Sequence, residues 1–532
     1  TLNQSVPYGT KIMSSPAVAD LLGDGHKEIV LGRNEEYTAA QDGGLNASVD
    51  SYNAALAAAG SSGLFSSGNG RVYAVYSDGS DHPAQGCNAA GHGVPTNAYV
   101  CGWPTKVVKF DLELLPEVGS GVDTPPAVMP AADLPCPGDS TAGDRVGVFT
   151  SDGPAYIFAG DGKSCYGQAP STSGQMADRV VGNSAESGNS TDTPYLVAVG
   201  DAAFGDLTGT GDYVLAAPTA GLIRAADIVL TDHQAGGEDD ITAWSLTNLP
   251  QGAGPVPQPH PGFPHFVDDL QFFAGPAVAD LNGLGPQEVL AGTAVSDFRA
   301  VTPGGVELPG WSKNTDGWIV ETPAVGTIGS DQHQKVAVMD REGTLFVWQT
   351  TAGACSGASW PRYKHDDWNS GNFSTIAGRP ETITDLGESA AGGTVTLTFT
   401  APHGTLFCGN AAGYQIRYST TGPVTDATWA QATLAGPTNS GGCTYTPAAA
   451  DPAGTQETIK LTGCPSGQLY FDVQAFNNGS ATGGNLAAIS TTSSPQTSVP
   501  EVVFPVSLAL GGVAAVAAWA RRRRRVTKPE RP

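Results

Sequence analysis

Ser14–Gly32 has the sequence SSPAVADLLGDGHKEIVLG, and the chain repeats this stretch at Gly275–Gly292 as GPAVADLNGLGPQEVLAG. In both copies a short apolar run leads into an acidic, glycine-rich turn, and a second apolar run follows. This order predicts a strand, a tight loop and a strand, with glycine supplying the positive φ angles of a sharp hairpin. Looser copies begin at Thr124, Ala203 and Thr322. A repeat of this kind indicates a repeat architecture.

A second hairpin follows the strand pair in the better copies, at Gly70–Gly79 and at Phe298–Trp311. Four short strands per unit, repeated along the chain, are typical of β-propeller blades. One blade cannot bury both of its faces alone, so neighbouring blades must pack together to make the core. The sequence therefore predicts an all-β protein whose residues 1–375 form a β-propeller.

These units resemble FG-GAP (also called VCBS) repeats, the blades of integrin-type propellers and of many secreted bacterial proteins. The resemblance has large insertions at 36–69 and 80–102, and Trp360–Gly371 resembles the segment that often closes such bacterial propellers. Five units are recognisable, whereas the resemblance implies about seven blades. Two blades are therefore expected to be too diverged to see or to precede Thr1.

The composition suits such a fold and narrows the partners. Of the 532 residues 40% are hydrophobic, 70 are glycine and only 14% are charged, as in turn-rich all-β proteins. Seven of the 26 basic residues lie in the last twelve positions, so the remainder carries 19 basic and 50 acidic residues. So acidic a surface excludes nucleic acid as a partner and suits divalent cations and solubility.

Eight cysteines occur, none of them in a CxxC pair, which argues against zinc or thioredoxin-like chemistry. Local spacing predicts disulfides between Cys87 and Cys101 and between Cys136 and Cys165, each closing a surface loop. The pairing is open for the other four, Cys355, Cys408, Cys443 and Cys464. The even number favours an oxidising compartment, with free buried cysteines as the alternative. An exported chain that begins at Thr1 is expected to be processed (its signal removed) or a fragment.

After Phe373 the repeat gives way to short alternating strands, which predict an immunoglobulin-like sandwich over 376–495. The predicted strands are Gly393–Thr400, Tyr414–Ser419, Glu457–Leu461 and Leu469–Asn477. The second and fourth of these resemble strands C and F of a fibronectin type III domain. Such modules carry no catalytic residues and usually space or present other domains.

The C-terminal end has the pattern of a membrane anchor. A Ser/Thr-rich stretch and a linker at 496–501 precede Val502–Ala520, a run of 19 uncharged apolar and small residues that is long enough to cross a bilayer as a helix. The basic tail at 521–532 would stay in the cytoplasm by the positive-inside rule, leaving the rest of the chain outside. Val499–Pro500–Glu501, the helix and the arginines are together similar to PEP-CTERM-type sorting tails.

The acidic loops are the candidate metal sites. They resemble the calcium loops of the same repeats, D-x-[DN]-x-D-G-x-x-[DE], in which alternate oxygen ligands point at one hard cation. In the first unit Asp20, Asp24 and Glu28 match this pattern, and Leu22 replaces the ligand at position three.

In the fourth unit Asp280, Asn282 and Glu288 match, and Leu284 replaces the position-five carboxylate. A third loop starts at Asp206 but has lost its register. The resemblance thus implies Ca²⁺ at the first and fourth loops, each with one ligand fewer than the family pattern. The alternative is that these acids only accept hydrogen bonds from turn amides, as Asp commonly does in loops.

Catalytic motifs are absent from the sequence, which has no GxSxG, no HExxH and no Walker-type phosphate loop. The pair His365–Asp366 is interpreted as a tie within the propeller-closing segment, and His260 and His265 as parts of a loop connection. Trp103, Trp311 and Trp360 recur near the ends of units and are interpreted as packing between blades. A paired-carboxylate glycosidase stays open as an alternative, because such pairs are spatial.

Together these features predict a non-enzymatic adhesion or binding protein at the cell surface, with a surface protein or glycan as its ligand. The alternative is an extracellular hydrolase or lyase, or the accessory region of one whose catalytic domain lies upstream of Thr1. A third interpretation is a structural spacer without a specific ligand. Because propellers host many activities, the functional step depends on analogy.

Overall fold

The computed structural model describes residue 12 and residues 14–37, 66–79, 99–107, 112–115, 118–119, 122, 124–136, 142–149, 155–165, 197–221, 239–247, 258–267, 274–293, 296–329, 331–375, 380–391, 393–405, 408–425, 428–436 and 442–477. The chain divides into two units at Ser490, and every described residue lies in the first unit. Apart from one 3-10 helix, Trp429–Gln431, the regular structure of this part of the chain is β-strand. The all-β prediction is confirmed.

Each repeat builds its own antiparallel sheet, starting from the short apolar run. The first sheet contains β1 (Ala17–Ala19), β2 (Glu28–Tyr37), β3 (Ser66–Tyr76), β4 (Thr105–Lys106), β5 (Leu112–Leu115) and β6 (Val118–Gly119). The second contains β7 (Ala127–Met129), β8 (Arg145–Phe149) and β9 (Ala155–Phe158). The third contains β10 (Val197–Val199), β11 (Ala203–Asp206), β12 (Tyr213–Gly221), β13 (Asp239–Ser245), β14 (Gln258–Pro259) and β15 (His265–Phe266).

The fourth and fifth sheets begin in the same way, and among the described residues only the fourth has the four strands that the sequence predicts for each unit. The fourth contains β16 (Ala277–Ala279), β17 (Glu288–Gly292), β18 (Asp297–Val301) and β19 (Lys313–Asn314). The fifth contains β20 (Ala324–Gly326), β21 (His333–Met339) and β22 (Leu345–Gly353). Corresponding residues hold corresponding registers, since Ala17 pairs with Val30 in the first sheet and Ala277 with Leu290 in the fourth.

The short inner strands of consecutive sheets lie side by side, in the order β1, β7, β11, β16 and β20. Apolar side chains fill the space between neighbouring sheets. This is a β-propeller-like arrangement, in which the strands of the described residues do not close into one continuous sheet. The five recognised repeats correspond to these five sheets, and a total of about seven blades stays a prediction.

Residues 356–375, which we call the strap, touch the inner strand of every one of the five sheets. The amides of Val18, Val128, Val278 and Val325 donate to the carbonyls of Ser370, Gly371, Trp360 and Pro361, at 2.7–3.1 Å. The amide of Asp206 completes the set by donating to the Ser359 hydroxyl at 3.1 Å. The strap therefore ties the sheets together, in agreement with the closing role that the resemblance implies for Trp360–Gly371.

The three tryptophans take packing positions. Trp103, Trp311 and Trp360 are only 3%, 8% and 2% exposed, and each belongs to an apolar core between sheets. The indole N–H of Trp103 donates to the Gly160 carbonyl of the second sheet at 2.9 Å. Their interpretation as packing between blades is confirmed.

A second β-structure follows the strap. Its strands are β23 (Gly387–Ala391), β24 (Thr394–Thr400), β25 (His403–Thr405), β26 (Cys408–Asn410), β27 (Gly413–Ser419), β28 (Thr433–Leu434), β29 (Gln456–Thr462) and β30 (Tyr470–Phe476). Two three-stranded sheets, β23-β24-β29 and β28-β27-β30, share one apolar core that includes Phe399, Ile416 and Leu461. The four predicted strands are confirmed, and β27 pairs with β30 as expected.

Three disulfides are formed among the described residues. Cys136–Cys165 confirms its prediction. Cys101 is also disulfide-bonded, and its predicted partner Cys87 lies outside the described residues. The four cysteines whose pairing was open form Cys355–Cys408 and Cys443–Cys464. Cys355 follows β22 and Cys408 begins β26, so this bond joins the end of the fifth sheet to the sandwich.

The predicted membrane anchor is not part of the described structure. The linker at 496–501, the helix at 502–520 and the tail at 521–532 all lie outside the described residues. Within the described residues, no helix is long and apolar enough to cross a membrane.

Candidate functional site

The acidic loop of the first sheet joins β1 to β2 and is held by its own carboxylates. Asp20 accepts hydrogen bonds from the amides of Asp24, at 3.1 Å, and Gly25, at 2.9 Å. Gly25 adopts φ +86°, a left-handed conformation that glycine enters without a steric cost. Glu28, at the start of β2, accepts from the amide of Leu21 at 2.8 Å and so connects the two ends of the loop.

Two residues from distant parts of the chain reach this loop. The Asp144 carboxylate accepts from the amide of Asp20 at 2.9 Å, and the Asn372 side chain of the strap donates to Asp144 at 3.4 Å. Burial raises the pKa of Asp144, and the hydrogen bond from Asp20 opposes that change. The first loop, the second sheet and the strap thus meet at one carboxylate, which sequence reasoning did not single out.

The loop of the fourth sheet is more completely bonded. Asp280 accepts from the amides of Asn282, Gly283 and Gly285 at 2.7–3.0 Å. Glu288 accepts from the Leu281 amide at 2.9 Å, and its other oxygen accepts from the Asn282 side-chain amide at 3.0 Å. Asp280 is 2% exposed and Glu288 1%, so both carboxylates of this loop are buried and have donors, while its turn at 283–286 is exposed.

The third loop has a different partner. Asp206 accepts from the amides of Gly211 and Asp212, at 2.9 and 3.1 Å. The Asp212 carboxylate lies 3.1 Å from Nε2 of His260, which arrives from the connection after β14. The acid that the calcium pattern places out of register therefore pairs with a histidine 48 residues away.

The two buried glutamates have strongly perturbed acidities. Burial raises the pKa of Glu28 to about 7, and the nearby charges of Asp24 and Asp20 add to the effect. Burial likewise raises the pKa of Glu288 to about 7, with a further contribution from Asp280. Both side chains are 1% exposed. A carboxylate that burial makes costly to ionise is one that a bound cation would stabilise.

The predicted calcium ligands fit a cation by chemistry but not by arrangement. Both loops offer only oxygen donors, as Ca²⁺ prefers. Within the described residues, however, no three acidic, His or Cys side chains form a group that could hold a metal ion. The oxygens of Asp20 and Asp280 face the amides of their own turns. The structure brings each trio together as a hydrogen-bonded turn, without a preformed coordination shell.

The pair His365–Asp366 is enclosed in the strap. Asp366 is 0% exposed and His365 3%, and the His365 ring lies between Trp360 and Phe373, with ring centroids 5.0 and 6.0 Å away. Asp366 also accepts hydrogen bonds from the amides of Trp368 and Ser370, at 2.8 and 3.2 Å. Hydrogen bonds lower the pKa of Asp366 despite its burial. This geometry is that of a structural tie.

His265 has a similar setting between sheets. Its Nδ1 lies 3.0 Å from the Gly305 carbonyl of the fourth sheet, and Nε2 lies 3.5 Å from Glu307. The guanidinium group of Arg299 forms ion pairs with the carboxylates of Glu307 and Asp297, the latter at 2.7 Å. These groups join β15 to the hairpin after β18, so His265 connects the third sheet to the fourth.

The strap also carries a buried base that the sequence analysis did not single out. The ammonium of Lys364 donates to the Pro16 carbonyl before β1, and the side chain is 5% exposed. Burial lowers the pKa of Lys364 to about 8, opposed by the charges of Asp201 and Asp366. Burial by the surrounding protein raises the pKa of the Asp201 carboxyl group to about 7, although part of the Asp201 surface is accessible.

Comparison with known proteins identifies no relative by sequence. No known protein family matches the chain, and no curated protein matches it. Solved structures show weak likenesses to the chain. BBS1N in complex with ARL6DN is 14% identical, with 73% of this chain and 88% of that chain covered and a TM-score of 0.26. The exotype rhamnogalacturonan lyase YesX is 14% identical, with 73% and 53% covered and a TM-score of 0.31.

The biofilm matrix protein Bap1 of V. cholerae is 12% identical, with 87% of this chain and 63% of that chain covered and a TM-score of 0.26. This chain spans less than two thirds of both the lyase and Bap1. All three neighbours are β-rich. At these identities and TM-scores the likeness identifies neither a family nor an activity.

Proposed function

We propose that this protein is an exported, non-enzymatic binding or adhesion protein of the cell surface. Its parts would be an FG-GAP-like propeller, a fibronectin type III-like sandwich and a C-terminal anchor of the PEP-CTERM type. The ligand would be a surface protein or a glycan.

The observation that carries this proposal is the use of the three most enclosed acid–histidine pairs of the described residues as structural ties. Two further pairs, His333–Asp331 and His403–Glu381, lie at the surface, with side chains 38–48% exposed. His365–Asp366 is enclosed in the strap, while His260–Asp212 and His265–Glu307 bridge separate segments. General acid–base catalysis needs such groups within reach of a substrate. In the described residues these groups hold the scaffold instead, which favours a binding surface. The disulfides support export, because such bonds persist in oxidising compartments.

A binding assay on the full chain separates this proposal from its alternative. The labelled protein is titrated onto isolated surface polysaccharides and surface proteins, and the same mixtures are analysed for cleavage products. Saturable binding with intact polymer is the expected result. Release of shortened or unsaturated oligosaccharides would replace the proposal with a hydrolase or lyase. Binding that never saturates on any polymer would favour a spacer.

The anchor is tested by removing Val502–Pro532. If Val502–Ala520 spans the membrane, the truncated protein appears in the medium while the full chain stays in the membrane fraction. A matched control replaces Arg521–Arg525 with glutamine, which keeps the apolar run and removes the charges. Unchanged fractionation of the truncated protein would contradict the anchoring proposal.

We also propose that Ca²⁺ stabilises the first and fourth loops. Asp20, Asp24 and Glu28 would hold one ion, with water or backbone carbonyls completing the shell. Asp280, Asn282 and Glu288 would hold another. The buried, cation-poor setting of Glu28 and Glu288 supports this proposal.

Thermal unfolding with calcium and with a chelator tests the metal. A ligand that binds only the folded state adds about 2.7 kcal/mol at a hundred times its dissociation constant. The shift should shrink in Asp20→Ala and in Asp280→Ala, and should persist in Asp331→Ala, which alters an acid outside both loops. Equal melting temperatures with calcium and chelator would mean that these acids serve only their turns.

A further inference from the structure

The first sheet has an uncovered face where the other four sheets have a covered one. Val128, Phe204, Val278 and Val325 occupy the same position in β7, β11, β16 and β20 as Val18 in β1. These four side chains face the preceding sheet and are 0%, 0%, 0% and 3% exposed. Val18 is 37% exposed. Among the described residues, the preceding face of the first sheet therefore lacks a neighbour.

The fifth sheet is uncovered on the opposite side. Register places Ala337 beside Val347, and Met339 beside Leu345, on one face of the sheet. Val347, Met339 and Leu345 are 44%, 48% and 64% exposed. The other face packs on the fourth sheet through Val336 and Val338, which are 0% and 3% exposed. The following face of the fifth sheet thus presents contiguous apolar side chains to solvent.

A glycine position shows that the two open faces match. Gly205 of β11 and Gly326 of β20 occupy the same place in their strands. Gly205 lies against Val278, since a Cβ atom on it would be 2.9 Å from a Val278 methyl group. Among the described residues, a Cβ atom on Gly326 would have only an Arg362 nitrogen nearby, at 4.0 Å. Between the third and fourth sheets, Val278, the counterpart of Val18, fills the space beside Gly205. The corresponding space beside Gly326 is open.

We infer that a second copy of this chain covers these faces, packing the preceding face of its first sheet on the following face of the fifth sheet. Among the described residues the two faces are the unpaired halves of a contact that the molecule makes four times between its own sheets, so each copy carries the complement of the other. The two further blades that the family resemblance implies would cover the same faces from within the chain, and the experiment below separates the two cases. Burial of Val18, Val347 and Leu345 would drive association.

The two faces themselves bring few charges together. Neither β1 nor β22 contains a charged residue, although the net charge of −25 makes two copies repel at long range. Lys335, on the same face of the fifth sheet, is held by Asp331 at 2.9 Å. Because the two faces differ, the contact is heterologous and joins copies head to tail.

Two variants, each altering one face, test the head-to-tail geometry. The full chain is examined in one detergent by light scattering across a concentration series, so that the apolar tail contributes equally to every sample. The wild type should rise at least about twofold in mean mass with concentration. Val18→Glu and Leu345→Glu should each remain at the low-concentration mass, because each lacks one face.

Mixing the two variants gives the distinctive result. The intact Val18 face of Leu345→Glu should bind the intact fifth sheet of Val18→Glu, producing one-to-one pairs and nothing larger. The matched control is Val306→Glu. It alters a valine that is 66% exposed and lies in the turn between β18 and β19, and it should associate like the wild type. Circular dichroism checks that each variant is folded.

Three outcomes would overturn the inference. A wild type whose mass stays that of one copy at every concentration would show that no second copy binds. A Leu345→Cys variant that a thiol reagent fails to label at the lowest concentration would show that the chain's own residues cover this face. Self-association of Val18→Glu or Leu345→Glu alone would exclude the head-to-tail contact.

Discussion

The acidic loops of the first and fourth sheets share a sequence pattern but differ in how they satisfy their buried glutamate. In the fourth loop the side chain of Asn282 donates to Glu288, whereas Leu22 stands at that position in the first loop. Glu28 is left with the Leu21 amide as its donor among the described residues. The difference between Asn282 and Leu22 therefore leaves both oxygens of Glu288 with a donor, but only one oxygen of Glu28 among the described residues.

A loop can therefore keep more of the acids of the family pattern and still have the less complete hydrogen-bond network. The first loop keeps more acids, whereas the fourth loop keeps more hydrogen bonds per acid. The fourth loop, whose first aspartate is buried, is therefore expected to be the more important one for folding, independently of any metal.

The largest effect is expected from removing the first aspartate of each loop. Asp280→Ala leaves three amides without their buried acceptor in a partly buried site, and should cost about 2–4 kcal/mol of unfolding free energy. Asp20→Ala frees two amides in a partly exposed loop, and should cost about 1–2 kcal/mol. Urea unfolding with chelator present measures both, and equal losses would remove the distinction between the loops.

The next effect is a dependence of stability on pH in calcium-free protein. The pKa of Glu28 and of Glu288 is about 7 in the folded state, against about 4.3 in an unfolded chain. The folded state thus binds more protons, so stability rises as pH falls from 8 towards 5. Asp20, Asp24 and Lys27 face Glu28, and Asp280 faces Glu288.

We expect a gain on the order of 1–2 kcal/mol for each of these two carboxyl groups. Asp201, whose pKa is also about 7, adds in the same direction. Denaturant midpoints between pH 8 and 5 measure the trend, and Glu288→Gln should flatten part of it. A midpoint that falls over this range would contradict the assignment of these acids as buried and raised.

A smaller effect is expected from exchanging the residue that distinguishes the loops. Leu22→Asn offers Glu28 the amide that Asn282 gives to Glu288, and should stabilise the ionised form by about 1 kcal/mol at pH 8. Asn282→Leu is the reciprocal change and should destabilise by a similar amount. Differences in denaturant midpoint at pH 8 and pH 5 report both, because the amide favours the ionised carboxylate. Identical pH profiles would show that position 22 does not matter to Glu28.

The smallest effect is expected at Asp24. Its carboxylate is exposed and accepts only from the nearby His26 amide, at 2.9 Å. Asp24→Ala should therefore change the unfolding free energy by about 0.5 kcal/mol or less in the absence of calcium. A loss as large as that of Asp20→Ala would place Asp24 among the residues that hold the loop.

Much of the fold could be predicted because its signals are local. The apolar runs, the glycine turns and the alternation after Phe373 each fall within a few residues, and their strands lie where expected. The Cys136–Cys165 bridge spans only 29 residues and was accessible in the same way. Packing of the tryptophans followed from their place at the ends of units.

The contacts between distant residues were not accessible from one sequence. Asp144 meets Asp20 across 124 residues, and Cys355 meets Cys408 across 53. Such pairs depend on how whole sheets pack, for which local propensity carries no signal. The uncovered faces were equally hidden, since Val18 and Val278 both lie in the sequence PAVADL and are nevertheless 37% and 0% exposed.

The Cys355–Cys408 bond also decides how a mechanical load would pass through the molecule. A pull applied beyond Phe476 reaches Cys408 through the sandwich and then crosses the disulfide directly to Cys355. Residues 356–407, which include the strap, lie on a slack branch of that covalent path. Tension would therefore arrive at the end of β22 without peeling the strap from the five inner strands that it joins.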